Sequence, residues 1–160
     1  MKPDRLDLLP HGLSVALFQP QIAPNTGNIA RLCVASGCHL HLVRPLGFTL
    51  DDRQLRRSAM DYWPRLKYTV HDDIAQFFST LEGRQFWFFD SGGIQTHYNT
   101  VFHDSDVLVF GSETRGVELS VLSEYPKQIV RIPQIGKERC INLSTSAGIV
   151  VYEAIRQIQF

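Results

Sequence analysis

The apolar positions of this chain change period again and again, from strand-like runs to helical spacing and back. Leu13 to Gln19 (LSVALFQ) is a short apolar run that predicts a buried strand. In the segment that follows, PNTGNIARLCVASG, Ile29, Leu32, Cys33 and Ser36 recur at helical spacing. Asn25 is the candidate cap there and Gly37 the stop. HLHLVRP predicts a second strand closed by Pro45. DDRQLRRSAMDYW predicts a short helix whose acids precede its bases, matching the helix dipole. LKYTVHD, RQFWFFDSGG, DVLVFGSETRG and KQIVRIP read as further strands, with a helix over DIAQFFSTLEG ending at Gly83. From about Asn142 the residues Leu143, Ala147, Val150, Val151, Ala154 and Ile158 form one stripe, the signature of a core-facing helix. Strands alternating with helices over short connections predict an α/β fold class, a mainly parallel sheet flanked by helices. No repeat or linker divides residues 1–160, so a single domain is expected.

Composition narrows this only slightly. Lys+Arg and Asp+Glu balance at 16 each, so total charge says nothing about nucleic acid, although a local basic patch stays open. The N-terminal MKPDRLDLLPHG reads as neither signal peptide nor membrane anchor, and residues 1–12 as a short extension. Cys33, Cys38 and Cys140 lack CxxC spacing and read as reduced thiols of a cytosolic protein.

Candidate chemistry gathers where predicted strands end. FDSGG, FGSETRG and IPQIGKERCINLS each follow a strand, and ligands of open parallel sheets bind outside the carboxyl ends of strands. Ordinary turn chemistry accounts for any one of these glycine-bearing loops; three of them together point to a pocket that a nucleotide-like ligand could enter. The phosphate-loop and dinucleotide fingerprints are both missing. Asn25, Asn28 and Arg31 fall within two turns of the first helix, where an arginine can grip a phosphate or a ribose hydroxyl. Arg53, Arg56, Arg57, Arg65 and Lys67 interleave with Tyr62 and Trp63, which fits either a solvated face or a single-stranded RNA surface. His39 and His41 share a strand face, but with no third ligand in view they read as a structural pair. Cys140 has no histidine base in a recognisable constellation, so a catalytic thiol is not expected.

Taken in order, PQIAPNTGNIARLCVASG, LVFGSETRG and RIPQIGKERCINLSTSAGIVVYEAIRQ resemble the three motifs of the SPOUT class of S-adenosylmethionine-dependent RNA methyltransferases. PNTGNIARLC, PLGFTLDDRQLRRSAMDY and FGSETRG are most similar to its small members, the tRNA (cytidine/uridine) 2′-O-methyltransferases of the wobble nucleotide. The resemblance runs from about Leu13 to Gln159. It implies a C-terminal trefoil knot that forms the methyl-donor pocket, a cytoplasmic homodimer, no metal and no membrane. The implied partner is the anticodon region of tRNA.

Residue by residue, the resemblance implies donor-pocket roles for Phe89, Gly111, Ile132 and Cys140. It gives catalytic-motif roles to Arg31, Asn25, Glu113 and Asn142, and RNA contacts to Arg56, Arg57, Arg139 and Tyr152. Two departures stand out: Cys140 where relatives usually carry serine, and Ser112 where proline is commoner. The competing readings are a 2′-O-methyltransferase for another tRNA or rRNA site, and a knotted RNA-binding protein without catalysis.

Overall fold

The computed structural model describes residues 8–136 and 140–160. Seven parallel strands form one sheet: β1 (Ser14–Phe18), β2 (His39–Val43), β3 (Tyr68–His71), β4 (Phe86–Phe89), β5 (Gln95–Thr96), β6 (Val107–Phe110) and β7 (Ile129–Arg131). Their spatial order is β3-β2-β1-β6-β4-β7-β5. Ser14 pairs with His39 on one side and with Val107 on the other, which places β1 in the sheet interior beside the central β6. The chain winds outward from β1 through β2 to β3, then crosses to build the other half. The winding direction therefore reverses beside β1, and such a reversal opens a crevice at the carboxyl ends of the strands.

Every residue of β1 is buried because helices cover both faces of the sheet. On one face Leu13, Val15, Leu17, Leu40, Leu42 and Leu108 meet α1 (Ala23–Ser36), α2 (Arg53–Ala59) and α5 (Leu143–Gln159). On the other, Ala16, Phe18, Phe88 and Val109 meet α3 (Ile74–Thr80) and α4 (Leu119–Glu124). The predicted strands and the major helices are all present. The two-residue β5 and the short α4 were not anticipated: neither has enough residues to display a period.

Local signals explain most helix ends. Asp52 caps α2 by accepting from the backbone N–H groups of Gln54 and Leu55 at 2.7 and 3.2 Å, and Asp73 caps α3 through Gln76. A 3-10 turn over Met60–Arg65, with Pro64 inside it, ends the α2 segment. Gly37 terminates α1 in the left-handed conformation at φ 80°, as expected. Gly27 lets α1 and α2 touch, since a Cβ there would come within 2.4 Å of the Ser58 Cβ. The extension is held at its described end: the Gln159 side chain donates to the Leu9 carbonyl at 2.8 Å and accepts the Leu9 N–H at 2.9 Å.

The start of α1 corrects one expectation. Asn25 is not the cap; the helix begins at Ala23, with Ile22 in the cap position and Pro24 in the first turn. Asn25 is instead a buried residue within that turn, while Asn28 and Arg31 lie on exposed positions, so the three do not share one face.

The histidine pair is larger than the sequence suggests, because β3 brings in a third ring. His41 and His71 hydrogen-bond at 2.9 Å between Nδ1 and Nε2, His39 stacks on His41 with centroids 4.5 Å apart, and Phe77 packs edge-on against both His41 and His71. Burial, with the neighbouring rings and Arg84, pushes His41 down to about 3. Burial also lowers His71, with His39 contributing, and lowers His39, with Arg84 and Lys67 contributing. The native state thus holds neutral imidazoles that the unfolded chain protonates below about pH 6.5.

The stability they contribute is complete above that pH and declines as pH falls toward the folded values. The loss is up to about 1.4 kcal/mol per pH unit for each histidine kept neutral. Urea denaturation at pH 7.5 and 5.5 is expected to show a lower midpoint at 5.5. His41→Leu should reduce that difference; an unchanged difference would mean that the acid sensitivity arises elsewhere.

Candidate active site at the carboxyl ends of the strands

A cleft of about 390 Å³ opens where β4, β6 and β7 end and where α1 and α5 begin. That volume lies within the usual range for small-molecule pockets. Phe89 and Phe110, the last residues of β4 and β6, line it and stack on each other with centroids 4.9 Å apart and planes 16° apart. Next to them, Gly111 lets its loop fold back tightly. A Cβ at that position would collide with the backbone of Gly116 and Val117. Ser112 and Gly116 close this loop with a 2.9 Å backbone bond, and the Ser112 hydroxyl accepts from the Arg115 N–H at 3.1 Å. Serine in place of the commoner proline thus has a local role as the acceptor that shapes the loop.

Three polar side chains from three segments meet at the edge of the cleft. The Glu113 carboxylate accepts the backbone N–H groups of Gln21 and Ile22 at 2.8 and 3.1 Å and the Asn25 side-chain amide at 3.3 Å. It does from a distant loop what the glutamate of a capping box does locally, and its charge suits the positive end of α1. Asn25 in turn accepts from the Asn142 amide at 3.1 Å. Asn142 caps α5, its Oδ1 accepting from the N–H groups of Ser144 and Thr145 at 3.0 and 3.2 Å and from the Ser144 hydroxyl at 2.6 Å. One connected set of hydrogen bonds therefore ties the loop after β6 to the starts of α1 and α5.

Asn25, Phe89, Gly111, Glu113, Ile132, Cys140 and Asn142 all line this cleft, although the sequence scatters them over most of the chain. The cleft does not include Arg31, Arg56, Arg57 or Tyr152. Arg31 is exposed on α1, six residues beyond Asn25 and so about 9 Å farther along the helix axis. Arg56 and Arg57 lie exposed on α2, and Tyr152 is 47% exposed on α5. Arg139 lies outside the described residues. Cys140 is exposed, whereas Cys33 and Cys38 are buried; burial pushes Cys33 well above the ordinary thiol range and Cys38 to about 11, so both are inert thiols.

Residues 12–152 match the family model described as "SpoU rRNA Methylase family". The chain belongs to this family. Among its relatives, the tRNA (cytidine(34)-2′-O)-methyltransferase of Methylovorus glucosotrophus is 42% identical over 147 residues, covering 91% of this chain and 96% of the relative. A solved structure described as "Structural insights into the 2-OH methylation of C/U34 on tRNA" aligns with a TM-score of 0.90 at 40% identity, covering 93% of this chain and 97% of that one. AviRb from Streptomyces viridochromogenes, solved with the cofactor AdoMet, shares the fold at TM-score 0.83 and 23% identity, over 97% of this chain and 61% of that one.

The structure adds residues to the cleft of this SpoU family site that sequence reading did not single out, and gives contacts to the basic segment that it did. Asp90, Gln134 and Ser146 line the cleft. Tyr62 lies between two arginines, with the Arg31 guanidinium carbon 5.6 Å and that of Arg65 4.9 Å from its ring centroid, while Arg56 sits 4.8 Å from that of Trp63. The aromatic interleaving of the basic segment was the only signal for these contacts. Asp90 had a weaker one, an acid at a strand end followed by glycines.

Removing the Glu113 carboxylate strands two backbone donors at the start of α1 together with the Asn25 amide. Glu113→Ala is expected to cost about 0.5–2 kcal/mol, the range for loss of a helix cap, seen as a lowered midpoint in thermal denaturation. An unchanged midpoint would show that this carboxylate does not hold the site together.

Proposed function

We propose that this methyltransferase transfers a methyl group from S-adenosylmethionine to the ribose 2′-hydroxyl of the wobble nucleotide of tRNA, a cytidine or uridine. The observation that carries the reading is the meeting of Asn25, Phe89, Gly111, Glu113, Ile132, Cys140 and Asn142 around one cleft. Relatives named for this reaction, about 40% identical over nearly their whole length, support the choice of substrate.

The cleft suits the donor. Its stacked Phe89 and Phe110 offer an apolar surface for an adenine, and the tight loop at Gly111 forms part of the wall beside them. Phe89, Gly111, Ile132 and Cys140 would hold the donor, which supplies a methyl group already activated on a sulfonium. The chain therefore has to orient the reactants and ease loss of one hydroxyl proton. Glu113, Asn25 and Asn142 serve as positioning residues: the Glu113 oxygens already accept three N–H groups, which leaves this carboxylate poorly placed to act as a base. The Arg31 guanidinium suits a substrate phosphate or the negative charge developing on the ribose oxygen, with phosphate or solvent taking the proton.

Arg31 lies outside the cleft of its own chain, so the reading includes a homodimer in which a substrate site draws on both copies. The exposed Ile149 and Tyr152 of α5 and Ile22 at the start of α1, at 37%, 47% and 46% exposure, offer an apolar surface for such pairing. The reading also includes a trefoil knot. Its support is the path between β7, on the far side of β4, and α5, which packs with α1; residues at both ends of that path line the cleft beside the 111–116 loop. For the RNA, Arg31, Arg56, Arg57 and Arg65 form no salt bridge with any described carboxylate. Arg31, Arg56 and Arg65 are held over aromatic rings, which orients guanidinium groups while leaving their N–H donors for phosphates. Arg139 and Tyr152 are proposed to extend this surface, and the anticodon arm of cytoplasmic tRNA is its partner.

Incubation of the protein with methyl-labelled donor and bulk tRNA, followed by mass spectrometry of nuclease fragments, is expected to place the label on the ribose of the wobble nucleotide. Label at another nucleotide would replace the substrate assignment. Donor binding without any label would leave an RNA-binding protein. Cys140→Ser is expected to keep or raise turnover, because a hydroxyl is the stronger hydrogen-bond donor. Complete loss of turnover with the fold intact would restore a catalytic thiol.

A further inference from the structure

We propose that Asp90 recognises the positive charge of the methyl donor and makes the cleft prefer the donor to its demethylated product. The proposal rests on the methyl-transfer reading above. Asp90 follows Phe89 at the end of β4, is half-buried, and lines the cleft. Its main chain is fixed on both sides: its N–H donates to the Val130 carbonyl at 3.0 Å, and its carbonyl accepts the Gly93 N–H at 3.0 Å. One carboxylate oxygen, Oδ1, accepts the Gly92 N–H at 2.9 Å, which sets the orientation of the side chain. The other, Oδ2, has no hydrogen-bond partner among the described residues. It faces the Gly116 α-carbon, where a Cβ would come within 3.3 Å of it, and Gly116 lines the same cleft. The free oxygen thus sits on the seam between the loops that follow β4 and β6.

The charged residues of the described cleft lining are Asp90, Glu113 and Arg115. Glu113 is occupied by the three N–H groups at the start of α1, so Asp90 carries the uncommitted carboxylate oxygen. S-adenosylmethionine carries a sulfonium and an ammonium against one carboxylate, a net positive charge. Transfer of the methyl group leaves a neutral thioether and no net charge. A fixed carboxylate inside a partly enclosed cleft attracts the first species more than the second, and the difference shrinks with added salt. Asp90 then acts as a specificity-determining residue: it strengthens donor binding while adding nothing to the binding of product.

Isothermal titration of wild type and Asp90→Asn with S-adenosylmethionine, S-adenosylhomocysteine and 5′-methylthioadenosine tests the proposal. Asparagine retains an oxygen for the Gly92 N–H, and a thermal melt checks the fold of the variant. The expected result is a loss of about five- to tenfold in S-adenosylmethionine affinity, with the two uncharged-sulfur ligands unchanged. Wild type should also lose its preference for the donor as salt rises, a readout that needs no variant.

Equal losses for the donor and S-adenosylhomocysteine, sparing 5′-methylthioadenosine, would assign Asp90 to the ammonium and overturn the proposal. Equal losses for all three would assign it to the ribose hydroxyls, with the same consequence. Three unchanged affinities, or a preference insensitive to salt, would leave Asp90 without this role. A wild-type protein that binds none of the three would instead refute the methyl-transfer reading on which the proposal rests.

Discussion

A single carboxylate holds the site together. Glu113 reaches from the loop after β6 to the residues that lead into α1 and satisfies two backbone N–H groups and the Asn25 amide there. Those donors lie at the positive end of a 14-residue helix, where a negative charge is favoured. Through Asn25 the same contact reaches Asn142, and through Asn142 the start of α5. Three segments that no local rule would bring together are fixed at one edge of a cleft.

The sheet makes that contact possible. Parallel strands deliver the ends of β4, β6 and β7 to one side of the molecule, and reversal of the winding beside β1 brings α1 to the same edge. Layers of helices on both faces keep the sheet dry, so the loops rather than the strands meet water. Phe89 and Phe110 stand at the boundary, buried as core residues yet lining the cleft with their stacked rings. The tight turn at Gly111 packs that loop back against Gly116 and Val117 and sets its position along the cleft.

Much of this was legible in the residue order, and the exceptions share a cause. Apolar runs such as LSVALF and DVLVF marked the central strands, and Asp52, Asp73 and Gly37 marked helix ends, because each acts on neighbours within a few residues. Asn25 misled for the same reason. Its sequence position fits a local cap, yet its side chain bonds residues 88 and 117 positions away. His71 joined the pair on β2 only once β3 had paired with it, and Tyr62 became a support for Arg31 only once the turn after α2 lay against α1. Asp90 was hidden differently: an acid before two glycines is ordinary turn chemistry until the facing loop leaves one of its oxygens without a partner among the described residues.

Glu113, Asn25 and Asn142 act as one unit although Glu113 and Asn142 share no hydrogen bond. The most direct measurement is a double-mutant cycle on Glu113→Ala and Asn142→Ala, with unfolding free energies from urea denaturation. Coupling through Asn25 predicts that the double variant loses less than the sum of the single losses, by about 1 kcal/mol or more. Additivity within about 0.5 kcal/mol would mean that the two ends of the network hold their helices independently, and would contradict the account.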